Sequence, residues 1–212
     1  MPNKDNADNY EIATLQPKQG VWRTYDVTDG LPMGISRLLQ DGKGYLWLSG
    51  SRLSGGLFRY DGASFITYTT TDGLADTRVR AICEDCQGRL WFGTECGVSC
   101  FDGQRFTTFT TTDGLADNRI RAICEDCQGR LWFGTECGVS CFDGQRFATY
   151  TTDDGLADNN VGAILENHQG HLWFGTECGV SCFDGQRFAT YTTDDGLAGN
   201  NVIAILEDCQ GR

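Results

Sequence analysis

LWFGTECGVSCFDGQRF, Leu90 to Phe106, recurs letter for letter from Leu131 to Phe147 and from Leu172 to Phe188. Trp91, Trp132 and Trp173 are therefore 41 residues apart. Trp47 lies 44 residues before Trp91, the extra three falling in the stretch SGSRLSGGLF, which reads as a loop insertion. Each copy divides into four short strand signals. Strand A is Arg78–Asp85 (RVRAICED), whose Val, Ile and Cys favour strands or burial. A turn at Gln87-Gly88 leads to strand B, Leu90–Thr94. Cys96-Gly97 turns the chain into strand C, Val98–Phe101. Asp102-Gly103 is a hairpin signal in which both central positions are expected at positive φ, and Asp143-Gly144 and Asp184-Gly185 repeat it. Strand D is Arg105–Thr110, and TTDGLAD joins it to the next strand A. Strand D does not alternate cleanly, as strands covered on both faces need not.

Four strands in about 40 residues is the size of one β-propeller blade. Helical repeats would need an i, i+3, i+4 apolar stripe, which is absent, and leucine-rich repeats are shorter. The sequence predicts an all-β chain of four complete blades, at about residues 35–68, 78–110, 119–151 and 160–192. A split or incomplete fifth would come from 21–31, which match strand D and its loop, and 201–212, which match strand A and its turn. Residues 1–20 form a polar segment in which Tyr10–Gln16 could supply one more strand. No strand B exists for the fifth blade. Three outcomes stay open: a five-blade ring closed with a gap, an open arc that pairs with another chain through its free edges, or a piece of a longer protein. Trp47, Trp91, Trp132 and Trp173 are expected to pack between blades, with Gly93, Gly134 and Gly175 as structural glycines.

The chain of 212 residues has 40% hydrophobic and 11% aromatic residues, too apolar for disorder. Its net charge of −12 disfavours nucleic acid and anionic membranes. The first twenty residues lack the apolar stretch of a secretion signal, and no window approaches a membrane span. As written, the sequence reads as cytoplasmic, or as extracytoplasmic if it is a fragment of a sensor kinase.

The pattern GLAxxxVxxIxEDxxGxLWFGTxxGVSxFDGxxFxxYT resembles the two-component regulator propeller repeat over about residues 21–212. Its most specific parts are Gly88 with Leu90–Thr94, Asp102-Gly103, and the DGL of Asp113-Gly114-Leu115. The resemblance implies a sensor-type propeller of hybrid histidine kinases, usually a seven-bladed ring that receives a carbohydrate or other signal. Kinase, receiver and DNA-binding segments are not present, so a signalling output is not implied.

Eleven cysteines are the other unusual feature. Cys83 and Cys86 are spaced C-x-x-C, as are Cys124 and Cys127. Cys96/Cys100, Cys137/Cys141 and Cys178/Cys182 are spaced C-x-x-x-C. Strand B holds Cys86 and Cys96 at its opposite ends, roughly 15–20 Å apart, whereas zinc needs four ligands at about 2.3 Å. The mid-strand cysteines are expected to act as small buried hydrophobes. Those at turns (Cys86, Cys96, Cys127, Cys137, Cys178, Cys209) are expected to be exposed and open to oxidation. The acidic loops TTDDGLADNN and TTDDGLAGNN lack EF-hand oxygen spacing and read as turns. His168 and His171, the only histidines, share one A–B turn and read as a solvated pair. No catalytic, metal or cofactor site is assigned.

In such blades the D–A and B–C loops share one rim. That rim carries Glu95, Glu136 and Glu177, with Arg80 and Arg121 on the inner strands. This set is the candidate site for a small polar ligand, a sugar or a basic peptide. The function read from the sequence is a non-catalytic module for ligand sensing or protein interaction. A lyase-like propeller enzyme, and a purely structural array recently amplified or designed, are the alternatives.

Overall fold

The structure, a computed structural model, describes residues 24–31, 34–51, 55–208 and 210–211. Tyr10–Gln16, Trp22 and Cys209 lie outside them. Among the described residues are sixteen strands in four antiparallel sheets, each sheet in strict chain order. The first blade comprises β1 (Ile35–Gln40), β2 (Leu46–Gly50), β3 (Leu57–Tyr60) and β4 (Phe65–Tyr68). The second has β5 (Ala81–Glu84), β6 (Leu90–Gly93), β7 (Val98–Phe101) and β8 (Phe106–Phe109). The third has β9 (Ala122–Glu125), β10 (Leu131–Gly134), β11 (Val139–Phe142) and β12 (Phe147–Tyr150). The fourth has β13 (Val161–Glu166), β14 (Leu172–Thr176), β15 (Val180–Phe183) and β16 (Phe188–Tyr191). The first strands of neighbouring blades touch one another, which sets them innermost. The fold is an all-β propeller arc.

Blades stack because each strand pair offers an aromatic to the next sheet. Trp91 stacks on Phe109 of its own blade at 5.9 Å and meets Phe133 and Phe142 of the following one at 5.8 and 6.0 Å. Trp47 and Trp132 do the same one blade earlier and later. Leu115 and Ile120, from the D–A connection, complete the apolar layer between the second and third blades. Gly93 is required there. A Cβ would come within 2.6 Å of the Ile120 side chain, while the Ile120 N–H reaches the Thr94 carbonyl at 2.9 Å.

A buried carboxylate fixes each tryptophan. Asp85 sits in the A–B turn, where its Oδ1 accepts from the Gln87 and Arg89 N–H groups and its Oδ2 from Arg89 Nε and Trp91 Nε1. Asp126 repeats all four bonds toward Gln128, Arg130 and Trp132. Asp41 holds Trp47 in the same way at 2.8 Å. Burial opposes the charge on Asp85, but the bonds from Trp91 and Arg89 outweigh it and hold the carboxyl below the ordinary Asp range. Blades are then stapled by the glutamate that ends strand A. Glu84, Glu125 and Glu166 accept from the backbone N–H of Gly42, Cys86 and Cys127 in the preceding blade's A–B turn.

Two sequence expectations need correction. The hairpin glycines sit at the first central position of their turn, not the second. Asp102 N donates to Arg105 O at 3.3 Å, so Gly103 and Gln104 are central, and Gly103 alone has positive φ. Asp102 precedes the turn and accepts from the Gln104 and Arg105 N–H groups, the reason aspartate stands there. Asp143 and Asp184 do likewise. Second, Trp173 does not pack between blades. Among the described residues it stacks on its own Tyr191, at 5.7 Å, and meets no ring of another blade. Asn167 also replaces the aspartate there and spends its oxygen on two backbone groups, Gln169 and His171. Of the split or incomplete fifth blade, residues 24–31 and 201–208 form no ladder with each other or with the blades. Val202 docks under Gly175 and bonds Thr176 O at 2.8 Å, but Ile203 and Leu206 are 79% and 86% exposed. The fifth blade is incomplete. The acidic loops are short 3-10 turns in which Thr110, Thr151 or Thr192 caps the backbone and an aspartate three residues on caps it in return.

Trp132→Ala should cost about 3–5 kcal/mol, the range for a large buried aromatic, and Trp173→Ala clearly less, as measured by urea unfolding. Asp126→Asn, which keeps the shape but points an amide donor at the indole, should cost about 1–3 kcal/mol. Because the native Asp85 and Asp126 values are depressed, their contribution is full above the ordinary Asp range. It is lost as pH falls through that range to the native values, so the gap between wild type and D126N should close in acid.

Candidate functional site

The D–A connections and B–C turns meet at one rim, and there the inner strands begin. Arg80 stands one residue before β5, its backbone N–H bonded to Gly93 O at 2.7 Å. Arg121 holds the same place before β9, bonded to Gly134 O at 2.8 Å. Their side chains reach the B–C turns of their own blades. Arg80 Nε pairs with Glu95, while Arg121 and Arg119 each donate to one oxygen of Glu136 at 2.7 Å. The bonds from Arg121 and Arg119 pull the Glu136 carboxyl below the ordinary Glu range.

These groups line a cleft of about 550 Å³ at the mouth of the central channel. Its wall is Arg37, Arg80, Glu95, Arg119, Arg121 and Glu136, closed by Gly162 and Ile203. Of the expected residues, the structure brings together Arg80, Arg121, Glu95 and Glu136. It does not include Glu177, which accepts from Asn160 Nδ2 at 2.6 Å outside the cleft wall. The carboxylates do not form an open acidic ring, because arginines from the inner strands neutralise them.

Arg119 and Arg37 went unread. Arg119 is two residues from Arg121 on an extended chain, hence on the same face, and that spacing was the available signal. Arg37 occupies the slot that is Ala81, Ala122 and Ala163 in the other copies, so the repeat gives no cue. A register shift in β1 between Ile35 and Arg37 accompanies it.

Among the described residues, ten cysteines are unpaired thiols, and no three His, Cys, Asp or Glu side chains are grouped to hold a metal ion. Cys100, Cys141 and Cys182 are buried in strand C, and Cys83 and Cys124 are half-buried in strand A. Burial pushes the Cys83 thiol up to about 12, and Cys100 and Cys141 up to about 11. Cys86, Cys96, Cys127, Cys137 and Cys178 are exposed at turns. Carboxylates beside them also raise their values: Asp76 for Cys96, Asp117 for Cys137 and Glu125 for Cys86. His168 is not a plain solvated residue, since its ring contacts the Glu207 carboxylate. Both histidines lie at the A–B turn, the end of strand B away from the cleft. Alkylation of the folded protein should label the turn thiols, with a rate that climbs above the pH of an ordinary thiol. It should spare Cys100, Cys141 and Cys182 until unfolding, as tandem mass spectrometry can localise. Equal labelling of Cys137 and Cys141 would contradict this burial.

The family model described as two component regulator propeller matches residues 73–96, 114–137 and 155–178. No curated protein matches the chain in sequence. Among solved structures it is similar to the extracellular domain of the putative hybrid two component system BT3049 from B. thetaiotaomicron. The TM-score is 0.74 and the identity 24%, over 84% of this chain and 26% of that one. It is also similar to PorZ, a surface component of the type-IX secretion system of Porphyromonas gingivalis, with TM-score 0.61, 16% identity, and 82% and 30% of the two chains covered. Virginiamycin B lyase from Staphylococcus aureus is more distant, with TM-score 0.60, 12% identity, and 74% and 55% covered. The chain thus spans about a quarter of the two-component propeller domain it resembles, and at these identities the likeness concerns the fold. Three of its repeats are thus similar to the two component regulator propeller repeat.

Proposed function

We propose that the chain is a non-catalytic propeller module that binds a small polar ligand at the mouth of its channel, as part of an extracytoplasmic sensor. The observation that supports this most is the cleft itself. Three successive blades direct arginines into one concave space, and the glutamates of the B–C turns hold two blades' arginines in place before any ligand arrives. Groups fixed in advance lose less freedom on binding. The family match and the fold shared with extracellular domains of two-component systems support the sensor reading. The lyase-like alternative has less behind it. The cleft wall contains no histidine, and the two histidines are at the opposite end of the blade.

One titration tests this reading. Saccharides and organic acids titrated against the protein should shift NMR signals of the cleft arginines, and Arg80→Ala with Arg121→Ala should weaken the tightest binder at least tenfold. Binding unchanged by both substitutions would overturn the site.

A further inference from the structure

The cleft carries a charge opposite to that of the molecule. The chain has a net charge of −12, yet the wall sets four guanidinium groups (Arg37, Arg80, Arg119, Arg121) against two carboxylates, Glu95 and Glu136. The excess is two positive charges. It is continuous with a neighbouring pocket where Arg78 joins Arg37 and Arg80 beside Ser36 and Ser51. Arg78 is paired with Asp76 at 3.1 Å. Arg37 has no carboxylate partner among the described residues. Its Nη1 donates to the Ser36 carbonyl at 2.9 Å.

Hydrogen-bonding capacity points the same way. A guanidinium has five N–H donors, and each ion pair here occupies one nitrogen. Arg80 gives Nε, Arg119 gives Nη1 and Arg121 gives Nη2. Arg37 spends Nη1 on the Ser36 carbonyl, and the cleft wall offers the remaining N–H groups of its four guanidiniums no carboxylate beyond the two glutamates. Such planar donor forks match oxyanions bidentately. The fourth blade breaks the series, with Asn160 and Gly162 where the third has Arg119 and Arg121. Gly162 and Ile203 close the far side with little or no polar surface. A cationic wall of three blades facing an open, uncharged one suits a ligand with its acidic group at one end.

We propose that the cleft selects a ligand bearing an oxyanion (carboxylate, sulfate or phosphate), bound through Arg37, Arg80 and Arg121. This rests on the channel mouth being the ligand site and names the chemistry of its ligand. The test is calorimetric titration with four probes: glucuronate, inorganic sulfate, inorganic phosphate and neutral glucose. Glucuronate should bind saturably at low salt, glucose at least tenfold more weakly, and sodium chloride should weaken the anions as screening requires. Arg37→Ala should weaken the anions at least fivefold, and Arg121→Lys, which keeps charge but loses the fork, should also weaken them. Arg105→Ala, distant from the cleft and matched for loss of one charge, should not. Unchanged melting temperatures confirm that the variants are folded. Sulfate or phosphate binding without glucuronate binding keeps the oxyanion and assigns it to an inorganic or ester group rather than a carboxylate. Glucose binding as tightly as glucuronate, still sensitive to Arg121, would overturn the oxyanion inference but leave the site standing. Four probes that bind alike to wild type and R121K, or not at all, would overturn the inference as well.

Discussion

A buried carboxylate that grips an indole underlies the arrangement of this protein. Asp85 and Asp126 each close an A–B turn with one oxygen and hold the tryptophan two residues beyond that turn with the other. The ring is thereby stacked on the last strand of its own blade and meets, at a tilt, a strand-B and a strand-C phenylalanine of the next. The glutamate at the end of the next strand A reaches back to the same turn. Turn, aromatic and neighbouring blade are thus one connected unit, and the 41-residue period is the spacing at which that unit can be stacked.

The fourth blade shows what happens when the unit is incomplete. Asn167 offers one acceptor where aspartate offers two, and among the described residues no sheet covers Trp173. An amide cannot accept from the indole with its nitrogen, so the aromatic loses its anchor and its cover in the same blade. The last described strand-A segment shows the converse. Val202 finds its place beneath Gly175 with the expected backbone bond, while Ile203 and Leu206 are exposed.

Much of this was legible in the sequence. Period, strand count and blade size follow from identical letters at a fixed spacing, and the sheets fall where LWFG, VSCF and F-x-x-F stand. The hairpin was misread by one residue because Asp-Gly suggests two central positions of positive φ. Aspartate instead acts through its carboxylate, and glycine alone takes the strained one. The grip of Asp85 on Trp91 was not read, since the two lie six residues apart across a hairpin and neither residue is unusual for its place. At the cleft, Arg80 with Glu95 and Arg121 with Glu136 followed from rim geometry alone. Glu177 was carried along by repetition although its arginine partner had become Asn160. Arg37 could not be read, because it fills an alanine slot in the most diverged copy.

Exchange of the indole N–H protons with deuterium, followed by NMR, tests the central claim most directly, since it reads the hydrogen bond that ties turn to aromatic. The indole protons of Trp47, Trp91 and Trp132 should be protected, exchanging only when a blade opens, and that of Trp173 should exchange far faster. Equal and rapid exchange at all four would show that the carboxylates do not hold the rings, and that something else sets the blades against one another.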